Sequence, residues 1–176
     1  MTTAIIIIGV VVVFLFIMNL LVNKEIKIEC NISIDKPIKE VFDYLKMTKN
    51  QDYFSTWNMM DPDMKKEYVG DDGKVGFVYK WDSIKNKNVG AGEQEIKLIE
   101  EGKSILYELR FSRPMKNIAN SQFKVDSENT TKTKVTWLFF GPTKFPMSLL
   151  KSIFEKMLRK DLEKGLKNLK TVLEKQ

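Results

Sequence analysis

The groups able to do chemistry in this chain are carboxylates, lysines, tyrosines and hydroxyls, because its 176 residues include no histidine and one cysteine. Without imidazole there is no Ser-His-Asp triad, no His metal ligand and no proton shuttle poised near neutral pH. Cys30 alone can form neither an internal disulfide nor a cysteine metal cluster. It sits in an alternating run and reads as a small core residue. Asp61/Asp63, Asp71-Asp72 and Glu100-Glu101 are paired carboxylates in turn sequences, where solvation gives no reason for one to act as acid and the other as base. Glu93 and Glu95 share a strand face that parity turns outward. Gly70, Gly73 and Gly76 are spaced like a glycine-rich loop, but a strand pattern follows, so no helix N-terminus is there to hold a phosphate. Gly90-Ala91-Gly92 fails the same test and predicts a bulge or a close backbone approach. Tyr79, Gln94, Tyr107 and Ser121 remain, on positions that parity turns inward. They suit the orientation of a ligand, and a tyrosine hydroxyl can polarise a carbonyl. No catalytic residue, metal site or cofactor is assigned.

The net charge of +6 raises the question of nucleic acid. Residues 144–176 carry nine Lys or Arg against four Asp or Glu, whereas residues 25–143 are neutral. Only Arg110, Arg113 and Arg159 are arginines, which argues against base readout and bidentate phosphate recognition. A solvated lysine-rich helix face accounts for the excess, and the same face suits contact with anionic lipid.

The elements that must position these groups fall into two parts, 1–24 and 25–176. Residues 4–22 hold 17 apolar side chains in 19 positions, broken by Gly9 and Asn19. As a helix this run would be about 28 Å long, close to a bilayer's hydrocarbon thickness. No basic n-region precedes it and no small-residue cleavage site follows, so the expectation is an uncleaved single-pass anchor. Lys24 and Lys27 on its C-terminal side would place the remaining domain in the cytoplasm.

From Glu25 to Ile34 apolar and polar residues alternate, predicting a half-buried strand. Asp35-Lys36-Pro37 is expected to cap and open a helix striped by Val41, Phe42 and Leu45. A short helical or irregular stretch follows from Asn50 to Met60. Six strand-like runs then succeed one another at short spacing. They place Phe77, Tyr79 and Trp81 on one face, then Gln94, Ile96 and Leu98, then Ile105, Tyr107, Leu109 and Phe111. Ser121, Phe123 and Val125 follow, and finally Val135, Trp137 and Phe139. From Pro146 onward, apolar residues at Leu150, Ile153, Phe154, Met157, Leu158, Leu162, Leu166, Leu169, Val172 and Leu173 predict a long amphipathic helix that covers the sheet. Gly165 inside it costs about 1 kcal/mol relative to Ala, which close approach to a neighbouring element, or a kink, would explain.

Several segments resemble the helix-grip domain of the START-like superfamily, also called SRPBCC or polyketide cyclase/dehydrase and lipid-transport-like proteins. They are Ile32-Ser33-Ile34-Asp35-Lys36-Pro37 with Glu40-Val41-Phe42, Trp57-Asn58 before Asp61-Pro62, and the Gly70…Val75-Gly76…Tyr79-Lys80-Trp81 hairpin. Gly90-Ala91-Gly92 and the stretch from Asp161 to Lys170 fit as well. The resemblance spans nearly all of residues 26–175 and concerns fold more than activity. It implies an α+β, Bet v 1-like architecture, a curved antiparallel sheet wrapped on the long C-terminal helix, here preceded by the expected transmembrane helix. It also implies a cavity between sheet and helix, walled by Trp57, Tyr79, Trp81, Tyr107, Leu109, Phe123, Trp137 and Phe139, with Phe154, Met157 and Leu158 from the helix. The expected partner is a hydrophobic or amphipathic small molecule, lipid-like or aromatic, with residues 4–22 contacting the membrane and nucleic acid set aside. Two alternatives stand beside this membrane-anchored binding domain. One is a cyclase- or hydratase-type enzyme using cavity Tyr or Glu groups; the other is a ligand-free interaction module.

Overall fold

The computed structural model describes residue 9, residues 25–143 and residues 147–175. Seven strands form one sheet: β1 (Glu25–Ile34), β2 (Lys65–Val69), β3 (Val78–Asp82), β4 (Ala91–Glu100), β5 (Ser104–Arg113), β6 (Asn117–Asn129) and β7 (Lys132–Pro142). Their spatial order is β1-β7-β6-β5-β4-β3-β2, antiparallel throughout. β2 to β7 are therefore the expected six-strand meander, and β1 returns to pair with the last of them. Helices α1 (Ile38–Lys46) and α2 (Thr56–Met59) follow β1, separated by a 3-10 turn at Thr48–Tyr53. A second 3-10 turn, Met147–Leu150, leads into α3 (Lys151–Glu174).

Alternation in the strands produces the inward face. In β1, Ile26, Ile28, Cys30 and Ile34 are buried while Glu25, Lys27, Glu29 and Asn31 are exposed. The register carries that face across the sheet, pairing Cys30 with Trp137, Trp137 with Phe123, and Gln94 with both Tyr79 and Leu109. Helix α3 covers it with Leu158, Leu162, Leu166, Leu169 and Leu173. Each such leucine contributes about 1.5–3 kcal/mol. Gly165 faces the sheet at the closest point: a Cβ there would lie 2.7 Å from Trp137 Cζ3 and 3.4 Å from the Phe54 carbonyl. Of the two explanations for this glycine, close approach is the one observed.

Polar contacts fix the helix along the same line. Thr56 Oγ1 donates to the Asp161 carbonyl (3.0 Å), and Asn168 Nδ2 donates to that of Phe54 (3.2 Å). Arg159 Nη1 donates to the Glu29 carbonyl (3.1 Å) and Lys170 Nζ to that of Ser33 (2.7 Å). Glu174 accepts from the Asp35 backbone N–H (2.7 Å) and pairs with Lys170 (2.8 Å).

Three expectations are corrected. Asp35 does not cap α1: Pro37 holds the cap position with no side-chain cap bond, and the Asp35 carboxylate turns to Lys132 and Lys170. Leu98 does not share the inward face of Gln94 and Ile96. A register shift between Ile96 and Leu98 turns it outward, 46% exposed. The single-pass membrane placement with a cytoplasmic domain is also overturned, since among the described residues no helix is long and apolar enough to cross a membrane. The 24-residue α3 is charged along its outer side, and residues 4–22, which carried that expectation, lie outside the described residues apart from Gly9.

Gly165→Ala gains about 1 kcal/mol of helix propensity but overpacks the Trp137 ring, at a cost of about 1–3 kcal/mol. The expected net result is a lower Tm in a thermal melt; a higher Tm would show that the ring yields freely. Lys170 and the Asp35 N–H hold the Glu174 carboxyl below its ordinary value. Its contribution is therefore complete above the ordinary carboxylate range and is lost as pH falls through the lowered value. Glu174→Gln should accordingly flatten the acid limb of a Tm–pH curve, and an unchanged limb would count against this link.

Candidate functional site

The inward side chains at the centre of the sheet form a packed aromatic array. Phe123 and Trp137 have ring centroids 4.7 Å apart, Phe54 stands edge-on to both at 6.0 and 5.9 Å, and Tyr107 is edge-on to Phe123 at 6.2 Å. Toward the β2 edge a stacked ladder runs from Tyr68 through Tyr79 to Trp81, with spacings of 5.5 and 5.9 Å, and Phe111 meets Trp81 edge-on at 5.8 Å.

The eleven residues expected to wall a cavity divide by depth. Tyr79, Trp81, Tyr107, Phe123, Trp137 and Leu158 are buried and belong to the core. Trp57, Leu109, Phe139 and Phe154 are half-buried and pack against it, while Met157 is 47% exposed. Phe111, which sequence reasoning placed on this face but not in the wall, is half-buried beside Leu109. Leu109, Phe111 and Phe139 lie on the inward face of interior strands, yet α3 does not close over them. Its first two turns carry the exposed Ile153 and Met157, and its buried stripe begins only at Leu158. Apolar side chains of the inward face thus stay partly open at the end where β3, β5 and β7 finish. Two hollows, of 760 and 500 Å³, are lined mostly by outward residues and by no α3 residue, and the larger also meets Trp81, Gly92 and Phe111 near the β3–β5 end. The larger runs past Lys80, Glu93, Arg110 and Ile118.

Polar groups on the inward face divide by whether the fold already uses them. Tyr107 Oη donates to the Leu45 carbonyl (3.3 Å), Trp81 Nε1 to the Val89 carbonyl (3.2 Å), and Trp137 Nε1 to Ser121 Oγ (2.8 Å). Tyr79 Oη, Gln94 Nε2 and Trp57 Nε1 are buried with no hydrogen-bond partner. Tyr79 and Gln94 are register partners across β3 and β4, 4% and 7% exposed. Burial, followed by the nearby Asp52 carboxylate, pushes the Tyr79 hydroxyl well above the ordinary phenol range, so it remains a donor at physiological pH. Asp52 itself pairs with Lys66 (2.8 Å) and accepts from Asn58 Nδ2 (2.8 Å).

The carboxylates resolve as follows. Asp61 is not a solvated turn residue: it is 7% exposed and accepts a 2.5 Å bond from Ser83 Oγ, tying the loop after α2 to the one after β3. Glu93 and Glu95 do face outward, where Arg110 binds both, at 2.5 and 2.7 Å, together with Glu108. Cys30 is a buried core thiol, raised above its ordinary value chiefly by that burial. No group of three or more potential metal ligands occurs among the described residues.

Residues 25–174 match the family model described as polyketide cyclase / dehydrase and lipid transport. The chain belongs to that family. It is thereby a START-like, SRPBCC-type domain, as the sequence motifs implied. Solved structures share this fold at low identity. Norcoclaurine synthase from Thalictrum flavum superposes with a TM-score of 0.63 at 10% identity, covering 91% of this chain and 92% of its own. Protein MLL2253 from Mesorhizobium loti gives 0.62 at 12% identity, covering 85% and 98%. XoxI from Bacillus cereus gives 0.60 at 13%, covering 84% and 94%. Among curated proteins none matches this chain in sequence.

The division between used and unused hydroxyls has a direct consequence for stability. Tyr107→Phe should lower stability by about 1 kcal/mol, because the Leu45 carbonyl loses its donor. Tyr79→Phe removes a buried hydroxyl with no partner and should leave Tm unchanged or raised. Equal losses in denaturant titrations of the two variants would mean that Tyr79 Oη is satisfied within the protein.

Proposed function

We propose that this domain binds a hydrophobic or amphipathic small molecule, lipid-like or aromatic, in the cleft between the inward sheet face and the first turns of α3. The observation that carries this reading is the partial exposure of Leu109, Phe111 and Phe139 on an otherwise buried face. Apolar surface left open under a helix is stabilised by an apolar guest at roughly 25 cal/mol per Å² covered. Trp57, Trp81 and Phe154 are the further residues offered to the ligand, while Tyr107, Phe123 and Trp137 form the packed floor beneath it. Met157 and Leu158 flank the helix side of the opening.

A cyclase- or hydratase-type reaction is the second reading. One observation favours it: of the two tyrosines expected in the cavity wall, Tyr79 has an uncommitted hydroxyl, with the Asp52–Lys66 pair nearby. Tyr107 is spent on Leu45.

The test is titration of the full chain with the neutral fluorophore phenylnaphthylamine. Leu109→Ala and Phe139→Ala should each weaken binding about tenfold, with folding checked by circular dichroism. Ile118→Ser, in the hollow on the opposite side, should leave binding intact. Loss of binding in Ile118→Ser alone would move the site to that outer hollow and overturn the proposal.

A further inference from the structure

The polar end of the ligand can be argued from atoms that the fold leaves unsatisfied, and this step rests on the cleft reading above. Inside a protein nearly every buried donor has a partner, because leaving one unmet costs about 1–3 kcal/mol. Two such groups stand directly opposite each other on β3 and β4: Tyr79 Oη and Gln94 Nε2. No hydrogen bond joins them to each other or to any other group. The next register pair on the same face, Trp81 opposite Gly92, continues toward the open end, about 7 Å along the strands. The Trp81 ring lies over Gly92, where a Cβ would meet it at 2.7 Å, and on the other side of Gln94 its register partner on β5 is the half-buried Leu109, which joins the donor pair to the open part of the face. Phe111, opposite Gly92 on β5, adds an aromatic wall. The line from the opening to the two donors is therefore apolar and aromatic and ends in hydrogen-bond donors.

We propose that Tyr79 and Gln94 form a two-donor clamp for the oxygen of a neutral carbonyl group (a ketone, aldehyde, ester or amide) on an otherwise apolar ligand. A carbonyl oxygen has two lone pairs and can accept from the phenol and the amide together. The choice of a neutral group over a carboxylate follows from the charges around the clamp. Among the described residues, the nearby cations are engaged: Lys66 on β2 is paired with Asp52 and Lys49 lies over the Tyr68 ring, 4.8 Å from its centroid, while the Asp52 carboxylate acts on the Tyr79 hydroxyl with the same sign as an incoming anion. An apolar molecule lacking an acceptor would leave both donors unmet, so the clamp selects as well as orients.

The test uses calorimetric titration of the full chain with three probes of matched ring size: acetylnaphthalene, ethylnaphthalene and naphthoate. Acetylnaphthalene should bind about tenfold more tightly than ethylnaphthalene, and naphthoate should bind most weakly. Tyr79→Phe and Gln94→Leu should each reduce that preference, weakening acetylnaphthalene more than ethylnaphthalene. Bound acetylnaphthalene should also show its carbonyl stretch at lower frequency than in hexane, with the shift diminished in Tyr79→Phe; a purely structural role for the tyrosine would not move that band. If acetyl- and ethylnaphthalene bind equally and neither variant discriminates, the clamp is wrong and the cleft reading stands. If naphthoate binds best, the neutral-carbonyl assignment is overturned. If none of the three binds, the cleft reading fails, and the clamp with it.

Discussion

The contact on which this structure depends is the seating of the Trp137 ring beneath Gly165. Trp137 is the point where the meander, the α1–α2 segment and the C-terminal helix meet. Its ring packs against Phe123 from the neighbouring strand and Phe54 from the segment before α2, and its indole N–H is held by Ser121. Only a residue without a Cβ lets the helix backbone come down onto that ring. Once seated, α3 lies at a height that lets its leucines fill the sheet and brings the Phe54 carbonyl within reach of Asn168. A larger residue at Gly165 would lift the helix and loosen all of these contacts together.

From Leu158 to its C-terminus the helix is held on every turn, by its leucines and by the contacts of Arg159, Asp161, Asn168 and Lys170, whereas its first two turns carry the exposed Ile153 and Met157. This asymmetry sets which part of the inward face is covered. The residues beneath the held part, Trp137, Phe123 and Tyr107, are packed and satisfied, whereas those beneath the free part, Leu109, Phe111 and Phe139, are half-open. The unspent donors of Tyr79 and Gln94 lie on the same inward face. One helix thus serves as clamp at one end and as roof at the other, a division of labour set by where its apolar stripe begins.

Much of this was legible in the sequence, for identifiable reasons. Period-two alternation is a local signal, so the inward face from Tyr79 to Phe139 could be assigned without coordinates. The helical stripe from Leu158 to Leu173 was equally local. Leu98 was misassigned because a bulge at Lys97 inserts one residue, and nothing in the local pattern announces it. Asp35 was misassigned because distant lysines compete for its carboxylate. The distinction between Tyr79 and Tyr107 was beyond any local reading. Both are inward tyrosines on strands, and only the arrival of the Leu45 carbonyl, 62 residues away in the chain, makes one structural and leaves the other available. Asp61 was hidden for the same reason, since its partner Ser83 comes from another loop.

The bonds from Arg159 and Lys170 to the Glu29 and Ser33 carbonyls have a meaning beyond docking the helix. β1 is an outer strand of the sheet, ten residues long and regular, the kind of border against which a second chain can add its own strand and begin an aggregate. Two cationic side chains from α3 occupy acceptors along that border. An approaching strand would have to displace charged donors to gain neutral ones. The helix that shapes the interior therefore also guards the outside of the fold, and separation of α3 from β1 would expose a polymerisation edge at the same moment as the aromatic core.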